Sequence, residues 1–432
     1  MKYVDVILPL PLPGMFTYSV PEGMEGCVVF GKRVLVPLGK SKKYIAMVVK
    51  VHQEKPSFKV KPIEQVLDAT PTLLDRQYRL WSWISNYYMS PLGDVYNAAM
   101  PAGMKSAEKF KPRMELYVEL TSKYRNEASL HVALNMLQRA LKQSKALTTF
   151  LSLSHWDSLE NDTPREGIKK VTKEELMNEA HCTSAIVKSL IDRDILFTYE
   201  EEVGRLNTSG ESHFEQIKPL SIAQQEAYNK ILLQMMKKNV VLLHGVTSSG
   251  KTEVYIHLIK QALDNHKQVL YLLPEIALTV QIMERLHKVF GDRLGIYHSK
   301  FSDAERVEIW QKQMSAHPYD VILGARSAVF LPFQNLGLVV IDEEHETSFK
   351  QQDPAPRYHA RSAAIVLAGM YPDCKVLLGT ATPSMESYYN AQEGKYGLVE
   401  LKTRYKARIC EHDHTAIVVS GITEKQLSDL CR

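Results

Sequence analysis

Short apolar runs alternate with helical segments through the C-terminal half of the chain. The runs span residues 240–243, 269–273, 321–323, 338–341 and 376–378. The stretches between them carry apolar residues at helical spacing. Alternating buried strands and helices are typical of a parallel sheet that is covered by helices on both faces. We therefore predict a multidomain α/β protein with a parallel-sheet lobe over residues 216–405.

The N-terminal part has a different pattern, in which proline and glycine turns separate β-like runs. The runs span residues 3–8, 27–30, 33–37 and 44–51. A helical stretch follows at residues 75–89, with Pro71 and Pro91 on either side. The spacing of its aromatic residues favours a place in the core over a base-stacking surface. The pattern predicts a small β-rich domain over residues 1–103.

Residues 104–205 predict a winged-helix domain. Its predicted elements are a helix at 130–143, a loop at 148–167, a helix capped by Thr172 and Glu175, a second helix after 181–184 and a strand at 195–199. Such units bind DNA or other proteins, and both roles remain open. The second helix carries only Lys188 on its exposed face, which argues against strong sequence-specific readout.

Composition places the chain among globular proteins, with 45% hydrophobic and 24% charged residues in 432. The N-terminus lacks a signal-peptide pattern, and the five cysteines are scattered, so we expect a cytoplasmic protein with reduced thiols. Residues 32–61 hold nine basic residues and one acid. This concentration indicates either a surface for a polyanion or the solvated face of a small domain.

A phosphate-binding loop follows the apolar run at residues 240–243. The sequence GVTSSGKT matches the pattern in which backbone N–H groups and a lysine hold phosphates while a threonine holds Mg²⁺. An upstream glutamine could read adenine through paired hydrogen bonds, which favours ATP. The predicted ATP-binding residues are Gln224, Gly245, Val246, Thr247, Ser248, Ser249, Gly250, Lys251 and Thr252.

Two adjacent carboxylates end the apolar run at residues 338–341, at the sheet edge where the loop is expected. Asp342 would share Mg²⁺ with Thr252, and Glu343 would activate the attacking water, so the predicted catalytic residues are Lys251, Asp342 and Glu343. Hydroxyl-bearing residues follow another strand and could couple the nucleotide state to a neighbouring domain. The predicted coupling residues are His345, Gly379, Thr380 and Thr382. Arg326, at the end of a further strand, suits contact with nucleic-acid phosphates.

These motifs together resemble superfamily 2 helicases. Over the runs YLLPEIALT, YHS and residues 342–361, the chain is similar to the PriA family of bacterial replication-restart proteins. The resemblance implies an N-terminal domain that binds DNA 3′ ends, a winged-helix domain and a RecA-like lobe. It implies an ATP-dependent 3′-to-5′ DNA helicase that recognises stalled or abandoned replication forks and initiates primosome assembly. The implied cofactors are ATP and Mg²⁺. The implied partners are forked and single-stranded DNA, primosome proteins and single-strand-binding proteins. We expect the protein to be a monomer.

The resemblance also implies DNA-contacting residues. An aromatic-rich loop that senses single-stranded DNA corresponds to Phe349, Lys350, Arg357 and Tyr358, and a 3′-end pocket to Phe16, Thr17, Gly39 and Lys61. Thr17 is a departure, because the family carries an acid at that position; a threonine offers a single hydroxyl, so end recognition is expected to be weaker or arranged differently.

After residue 405 the sequence leaves the family pattern. The second motor lobe and the paired-cysteine zinc ligands expected of a full-length member are not found in residues 406–432, and Cys410, His412 and His414 are too few and too close for a tetrahedral site. A truncated or frame-shifted product is the expected explanation, with ATP and fork binding but weak hydrolysis and unwinding. The alternatives are another superfamily 2 translocase and a non-catalytic DNA-binding scaffold that recruits restart proteins.

Overall fold

The computed structural model describes residues 2–106, 114–125, 127–156, 169–202, 216–298, 301–404, 409–412 and 415–418. The chain forms two compact units. One contains residues 1–110 and 210–432, and the other contains residues 111–209. No helix in the described ranges is both long enough and apolar enough to cross a membrane.

An antiparallel five-stranded sheet forms the N-terminal domain, in the order β2-β1-β4-β3-β5. Its strands are β1 (Lys2–Ile7), β2 (Phe16–Val20), β3 (Arg33–Leu38), β4 (Lys42–His52) and β5 (Gln65–Val66). Alternate valines of these strands, with Ala46 and Ile63, fill its core. The predicted strand at 27–30 is wrong: the backbone turns at Cys27 and again at Lys32, so Val28 packs into the core from a loop.

Two helices, α1 (Asp75–Tyr87) and α2 (Leu92–Ala99), join this sheet to the helicase-like lobe within the same unit. The indole N–H of Trp310 donates to the Thr72 carbonyl at 2.9 Å. The Gln77 amide donates to the Phe330 carbonyl at 2.7 Å. These buried contacts make the N-terminal domain and the lobe one packed body.

Some of the basic residues at 32–61 are structural. Lys32 is 8% exposed and donates to the Cys27 carbonyl. Arg33 pairs with Asp68 at 2.6 Å. The basic surface of this domain therefore consists of the exposed lysines. These are Lys40, Lys42, Lys43, Lys50, Lys55, Lys59 and Lys61.

The unit at residues 111–209 has an antiparallel sheet of order β7-β6-β8 with helices packed on it. Its elements are β6 (Met114–Leu120), α3 (Glu127–Met136), α4 (Leu141–Leu153), β7 (Val171–Thr172), α5 (Lys173–Glu179), α6 (Ser184–Asp192) and β8 (Leu196–Glu202). The Thr172 hydroxyl accepts the Glu175 backbone N–H at 3.0 Å and so begins α5 as predicted. The predicted loop from residue 148 is wrong in its first part, because Phe150 and Leu151 continue the buried face of α4.

The lobe is built on a seven-stranded parallel sheet of order β11-β12-β10-β13-β14-β9-β15. Its strands are β9 (Val240–Gly245), β10 (Gln268–Leu272), β11 (Leu294–Tyr297), β12 (Val321–Gly324), β13 (Leu336–Asp342), β14 (Lys375–Thr380) and β15 (Gly397–Leu401). Its helices are α7 (Ile222–Lys237), α8 (Lys251–Asp264), α9 (Val280–Phe290), α10 (Asp303–Met314), α11 (Ala360–Ala368) and α12 (Met385–Gln392). The carboxyl ends of β9, β13 and β14 are adjacent, so one edge of the sheet gathers the predicted chemistry.

A short hairpin, β16 (Ile409–His412) and β17 (Thr415–Val418), lies in the predicted atypical tail. Of the three residues considered as a metal site, Cys410 and His412 lie in this hairpin, and His414 lies outside the described residues.

Candidate functional site

The phosphate-binding loop connects β9 to α8. Gly250 has φ 78°, in the left-handed region, and α8 begins at the next residue. A Cβ at Gly245 would lie 3.0 Å from both Lys251 Cγ and Ser249 Oγ. Glycine at both positions therefore lets the loop close tightly around the lysine, with its backbone N–H groups at the helix N-terminus.

Lys251 is held at the centre of the loop. Its ammonium group donates to the Gly245 carbonyl at 3.1 Å and lies 3.9 Å from Glu343 Oε1. Within the described residues, the buried Ser249 Oγ has no hydrogen-bond partner. An unpaired hydroxyl beside a buried ammonium group fits a phosphate, which would accept from both.

Asp342 ends β13 at the same edge and is only 9% exposed. The Tyr255 hydroxyl donates to Oδ1 at 2.9 Å, and the Tyr271 hydroxyl lies 3.5 Å from Oδ2. The pKa of Asp342 is raised to about 6, mainly by burial and also by the charge of Glu343, while Lys251 acts in the opposite direction. A cation at this carboxylate would offset the cost of burying its charge.

The residues present fit Mg²⁺ bound together with a nucleotide. Thr252 is the second residue of α8 and partly buried, and Asp342 supplies a carboxylate. Mg²⁺ usually takes few protein ligands and completes its shell with phosphates and water. Among the described residues there is no group of three or more His, Cys, Asp or Glu that could hold a metal ion by themselves. The donor set therefore suits a metal that arrives with phosphates.

Glu343 follows Asp342 with φ 48°, a left-handed conformation that is strained for a residue with a side chain. Its carboxylate faces Lys251 on one side and His345 Nδ1, 3.7 Å away, on the other. Strained backbone of this kind is common at catalytic positions, because the surrounding structure fixes the side chain in one direction.

The predicted coupling residues come together. His345 Nδ1 is 2.8 Å from the Thr380 hydroxyl, which also accepts the Thr382 backbone N–H at 3.0 Å. Gly379 packs directly on the Asp342 site: a Cβ there would lie 1.8 Å from the Tyr255 hydroxyl. The segment after Asp342 and the end of β14 are thus in direct contact.

The side-chain amide of Gln224 is not free to recognise adenine, contrary to what the sequence led us to expect. Its Oε1 accepts the Ser221 backbone N–H at 2.9 Å in a capping box, and its Nε2 donates to the Gly250 carbonyl at 3.2 Å. Both polar ends of the amide are used, and the side chain is 2% exposed. In this arrangement Gln224 supports the phosphate loop instead of presenting a free amide to a base.

A buried ion pair connects the acidic strand end to α11, and the residue pattern did not single it out. Glu344 is fully buried, and Arg361 donates to its Oε2 at 2.5 Å. Ser384 N–H donates to Oε1 at 2.7 Å, and the Ser387 hydroxyl donates to Oε2 at 2.8 Å. The sequence signal was the run of three acids at residues 342–344, because the predicted chemistry uses only the first two.

The loop from Phe349 to Tyr358 is closed by a β-bridge between Lys350 and His359. Phe349 and Tyr358 are each 1% exposed, so a base cannot stack on either ring in this arrangement. The expectation that these two rings contact DNA directly is therefore corrected: Tyr358 packs edge-on against Phe330, 5.0 Å between centroids. The exposed Arg357 and the partly buried Lys350 remain available at the surface.

Arg326 lies against the same loop. Its guanidinium is 3.5 Å from the Ser348 carbonyl, and its own carbonyl is 3.4 Å from the Tyr358 hydroxyl. Two of the predicted nucleic-acid elements, the segment after β12 and the aromatic-rich loop, are therefore in contact.

The four residues expected around a 3′ end lie on neighbouring parts of the N-terminal sheet. Lys61 donates to the Gly39 carbonyl. The Tyr18 hydroxyl donates to the Pro37 carbonyl at 3.1 Å, which links β2, the strand of Phe16 and Thr17, to the turn at Gly39. The Thr17 hydroxyl donates to Asp5 Oδ1 at 2.7 Å. An acid therefore lies beside Thr17, on the facing strand β1, although Thr17 itself is not acidic.

Three family models match consecutive parts of the chain. The model for the PriA 3′ DNA-binding domain matches residues 5–101, the model for the winged helix domain of PriA helicase matches residues 115–203, and the DEAD/DEAH box helicase model matches residues 221–391. These matches confirm the predicted fold class.

Two relatives named replication restart protein PriA match along most of the chain, and a third matches a shorter part of it. That of Bacillus subtilis is 32% identical over 461 residues, covering 95% of this chain and 57% of the relative. That of Haemophilus influenzae is 35% identical over 407 residues, covering 94% of this chain and 52% of the relative. That of Helicobacter pylori strain J99 is 42% identical over 191 residues, covering 44% of this chain and 30% of the relative.

The chain spans about half the length of the first two relatives. Two of the matching family models are specific to PriA, and they cover the two domains that precede the helicase lobe. The phosphate loop, the acidic strand end and these relatives agree, and the chain is similar to the PriA family along most of its length.

Proposed function

We propose that this chain supplies the ATP-binding and DNA-binding parts of a 3′-to-5′ DNA helicase that recognises stalled or abandoned replication forks and initiates primosome assembly. The observation that carries the proposal is the position of Lys251, whose ammonium group lies between the phosphate loop and Glu343 at 3.9 Å. A triphosphate in this loop meets a lysine, a metal-binding carboxylate and a water-activating carboxylate at one sheet edge.

Each residue has a distinct part in hydrolysis. Lys251 donates to phosphate oxygens and neutralises their charge. Glu343 orients the attacking water and accepts its proton. The hydroxyl of Thr252 and the carboxylate of Asp342 would hold Mg²⁺, which would supply positive charge to the phosphates. Tyr255 and Tyr271 keep the Asp342 carboxylate directed toward the loop.

The contact between His345 and Thr380 supports coupling of this chemistry to movement. His345 is two residues from the proposed water-activating carboxylate, and Thr380 ends the next strand. Loss or gain of a phosphate near Glu343 would change the charge beside His345 and therefore its contact with Thr380.

For DNA, the proposal rests on the exposed lysines of the N-terminal sheet and on the cations around the loop at 349–358. Phosphate contacts by such side chains position a strand without reading its sequence. The free 3′ end of a fork would lie near Lys61 and Gly39, with Asp5 and Thr17 as a paired acceptor and hydroxyl.

Binding of a fluorescent ATP analogue tests the nucleotide site. Lys251→Ala should weaken binding by about 10-fold or more, the loss expected for a charge-assisted contact to phosphate. The matched control is Lys260→Ala, which removes an exposed lysine from the same helix. Equal binding by the Lys251→Ala and wild-type proteins would refute the site.

Fork binding tests the DNA part independently. Wild-type protein should prefer forks with a free 3′-hydroxyl over forks that end in a 3′-phosphate, and Lys61→Ala should lose that preference. Lys55→Ala, which removes another exposed lysine of the same domain, should keep it. If wild-type protein binds both forks equally, the 3′-end assignment fails while the ATP site stands.

A further inference from the structure

Three aromatic rings lie together at the C-terminal end of α1. Trp83 and Tyr87 are stacked with centroids 4.9 Å apart and planes at 19°. Tyr88 meets Tyr87 edge-on at 4.9 Å and Trp83 at 5.9 Å. Tyr87 is 64% exposed, and the next exposed side chain, Met89, is 92% exposed. The helix thus ends in a rigid aromatic surface with one face open to solvent.

This surface contacts the loop at residues 349–358. The His359 backbone N–H donates to the Tyr88 oxygen at 3.1 Å. The Lys350 ammonium group lies 4.8 Å from the centre of the Tyr88 ring, within cation–π range. Tyr88 is therefore fixed from the loop side, and it in turn supports Tyr87.

The division of aromatic side chains at this junction is unexpected. The loop's own rings, Phe349 and Tyr358, are each 1% exposed and pack in the interior. The open ring belongs to α1 of the N-terminal domain. A base that approaches the loop can stack on Tyr87 without unpacking anything.

Positive charge lies beside the open ring. Lys350 also donates to the Arg357 carbonyl at 2.5 Å, which brings the exposed Arg357 to the same side of the loop. The neighbouring acid, Asp353, is 3.6 Å from the Arg357 guanidinium and offsets part of its charge. Among the described residues, the contacts of the Lys350 ammonium group are with the Arg357 carbonyl and the Tyr88 ring, so no acid is paired with it where a phosphate would bind.

We propose that Tyr87, backed by Trp83, is a stacking site for a base of single-stranded DNA, with the adjacent phosphate at Lys350. Aromatic rings stack on bases of any sequence, and a nearby cation holds the backbone. The inference rests on the proposed function, because it assumes that a single strand crosses the loop. It adds a contact from α1 to the single-strand contacts that the family resemblance places on the aromatic-rich loop.

Affinity for an oligo(dT) strand, measured by fluorescence anisotropy, tests the site. Tyr87→Ala should weaken binding by about 10-fold, as expected for loss of one base–aromatic stack, and Tyr87→Phe should stay within about twofold of wild type. The matched control is Tyr389→Ala, which removes a ring that is 58% exposed on α12. Unchanged affinity in Tyr87→Ala would overturn the proposal.

Photocrosslinking of the wild-type chain supplies a test that needs no variant. A single strand that carries 5-iododeoxyuridine should crosslink to the peptide that contains Trp83 and Tyr87. Crosslinks confined to other peptides would overturn the stacking site. If the wild-type chain fails to bind oligo(dT) at all, the DNA part of the proposed function fails as well; normal wild-type binding with no effect of Tyr87→Ala removes the stacking site alone.

Discussion

The guanidinium of Arg361 donates to the carboxylate of Glu344 at 2.5 Å, and the acid is fully buried. This pair lies between the strand end that carries Asp342 and the helix that follows the aromatic-rich loop. Two serines, Ser384 and Ser387, complete the hydrogen bonds of the carboxylate. This ion pair therefore links the acidic strand end to α11 and to the segment after β14.

Removing one member of that pair should be costly. Arg361→Met leaves Glu344 buried without a countercharge and should lower the free energy of unfolding by about 3–5 kcal/mol. Urea denaturation measures the change. The double variant Glu344→Gln/Arg361→Met should recover much of the loss, because no charge remains buried. Strictly additive losses in the double variant would contradict this account.

The raised pKa of Asp342 predicts that Asp342→Asn increases the stability of the metal-free protein by an amount that depends on pH. The carboxyl group binds its proton more tightly in the folded state, with a pKa of about 6 against an ordinary 3.8, so its contribution to stability falls as pH rises through that window. Asp342→Asn should therefore stabilise the protein at pH 8 in EDTA, by about 1–3 kcal/mol, and have little effect near pH 4.

Thermal unfolding at the two pH values checks the Asp342 prediction. Added Mg²⁺ and a non-hydrolysable ATP analogue should stabilise the wild-type protein more than Asp342→Asn, since the variant lacks the charge that binds the metal. A stabilisation of equal size at both pH values would show that the gain has another cause.

Gly379→Ala should disrupt the Asp342 site. The new Cβ would lie 1.8 Å from the Tyr255 hydroxyl and 3.3 Å from Asp342 Oδ1, so either β14 or the tyrosine must move. We expect a loss of about 1–3 kcal/mol in stability, typical of overpacking, together with weaker Mg²⁺-dependent nucleotide binding. Gly26→Ala is the matched control, because its φ, like that of Gly379, is not left-handed and an added Cβ there would meet no atom within 4 Å.

Gln224→Ala separates support of the loop from reading of the base. Both ends of its amide are bonded to Ser221 and the phosphate loop, so its loss should weaken ATP and GTP binding to a similar extent. A residue that read adenine would instead lose affinity for ATP alone. Parallel titrations with the two nucleotides distinguish these outcomes.

Strong local patterns predicted much of the fold. The phosphate loop, the acidic strand end and the central strands combine short apolar runs with fixed motif spacing, and the structure brings Lys251 and Glu343 together as that spacing indicated. The two strands of the lobe that the pattern missed, Leu294–Tyr297 and Gly397–Leu401, are the two edges of its sheet. Edge strands are short and less uniformly apolar, so their periodicity is weak.

The site residues that could not be predicted depend on contacts between distant segments. Tyr255 and Tyr271 occupy buried positions of a helix and a strand, and only the fold shows that both hydroxyls meet Asp342. Phe349 and Tyr358 are aromatic residues in a loop, a pattern that suits base stacking and core packing equally well. Tyr358 packs edge-on against Phe330, a residue outside the loop, and the loop sequence alone does not indicate that contact.

The winged-helix unit is one continuous stretch inserted into the other unit, whose two parts lie on either side of it in sequence. A nascent chain can complete the inserted core once residues 111–209 have emerged. Thr72 and Gln77, before and within α1, cannot be packed at that stage, because their partners Trp310 and Phe330 are synthesised much later. The order of folding on the ribosome should therefore differ from the order of the domains in the chain, with the middle domain finished before the first is fully packed.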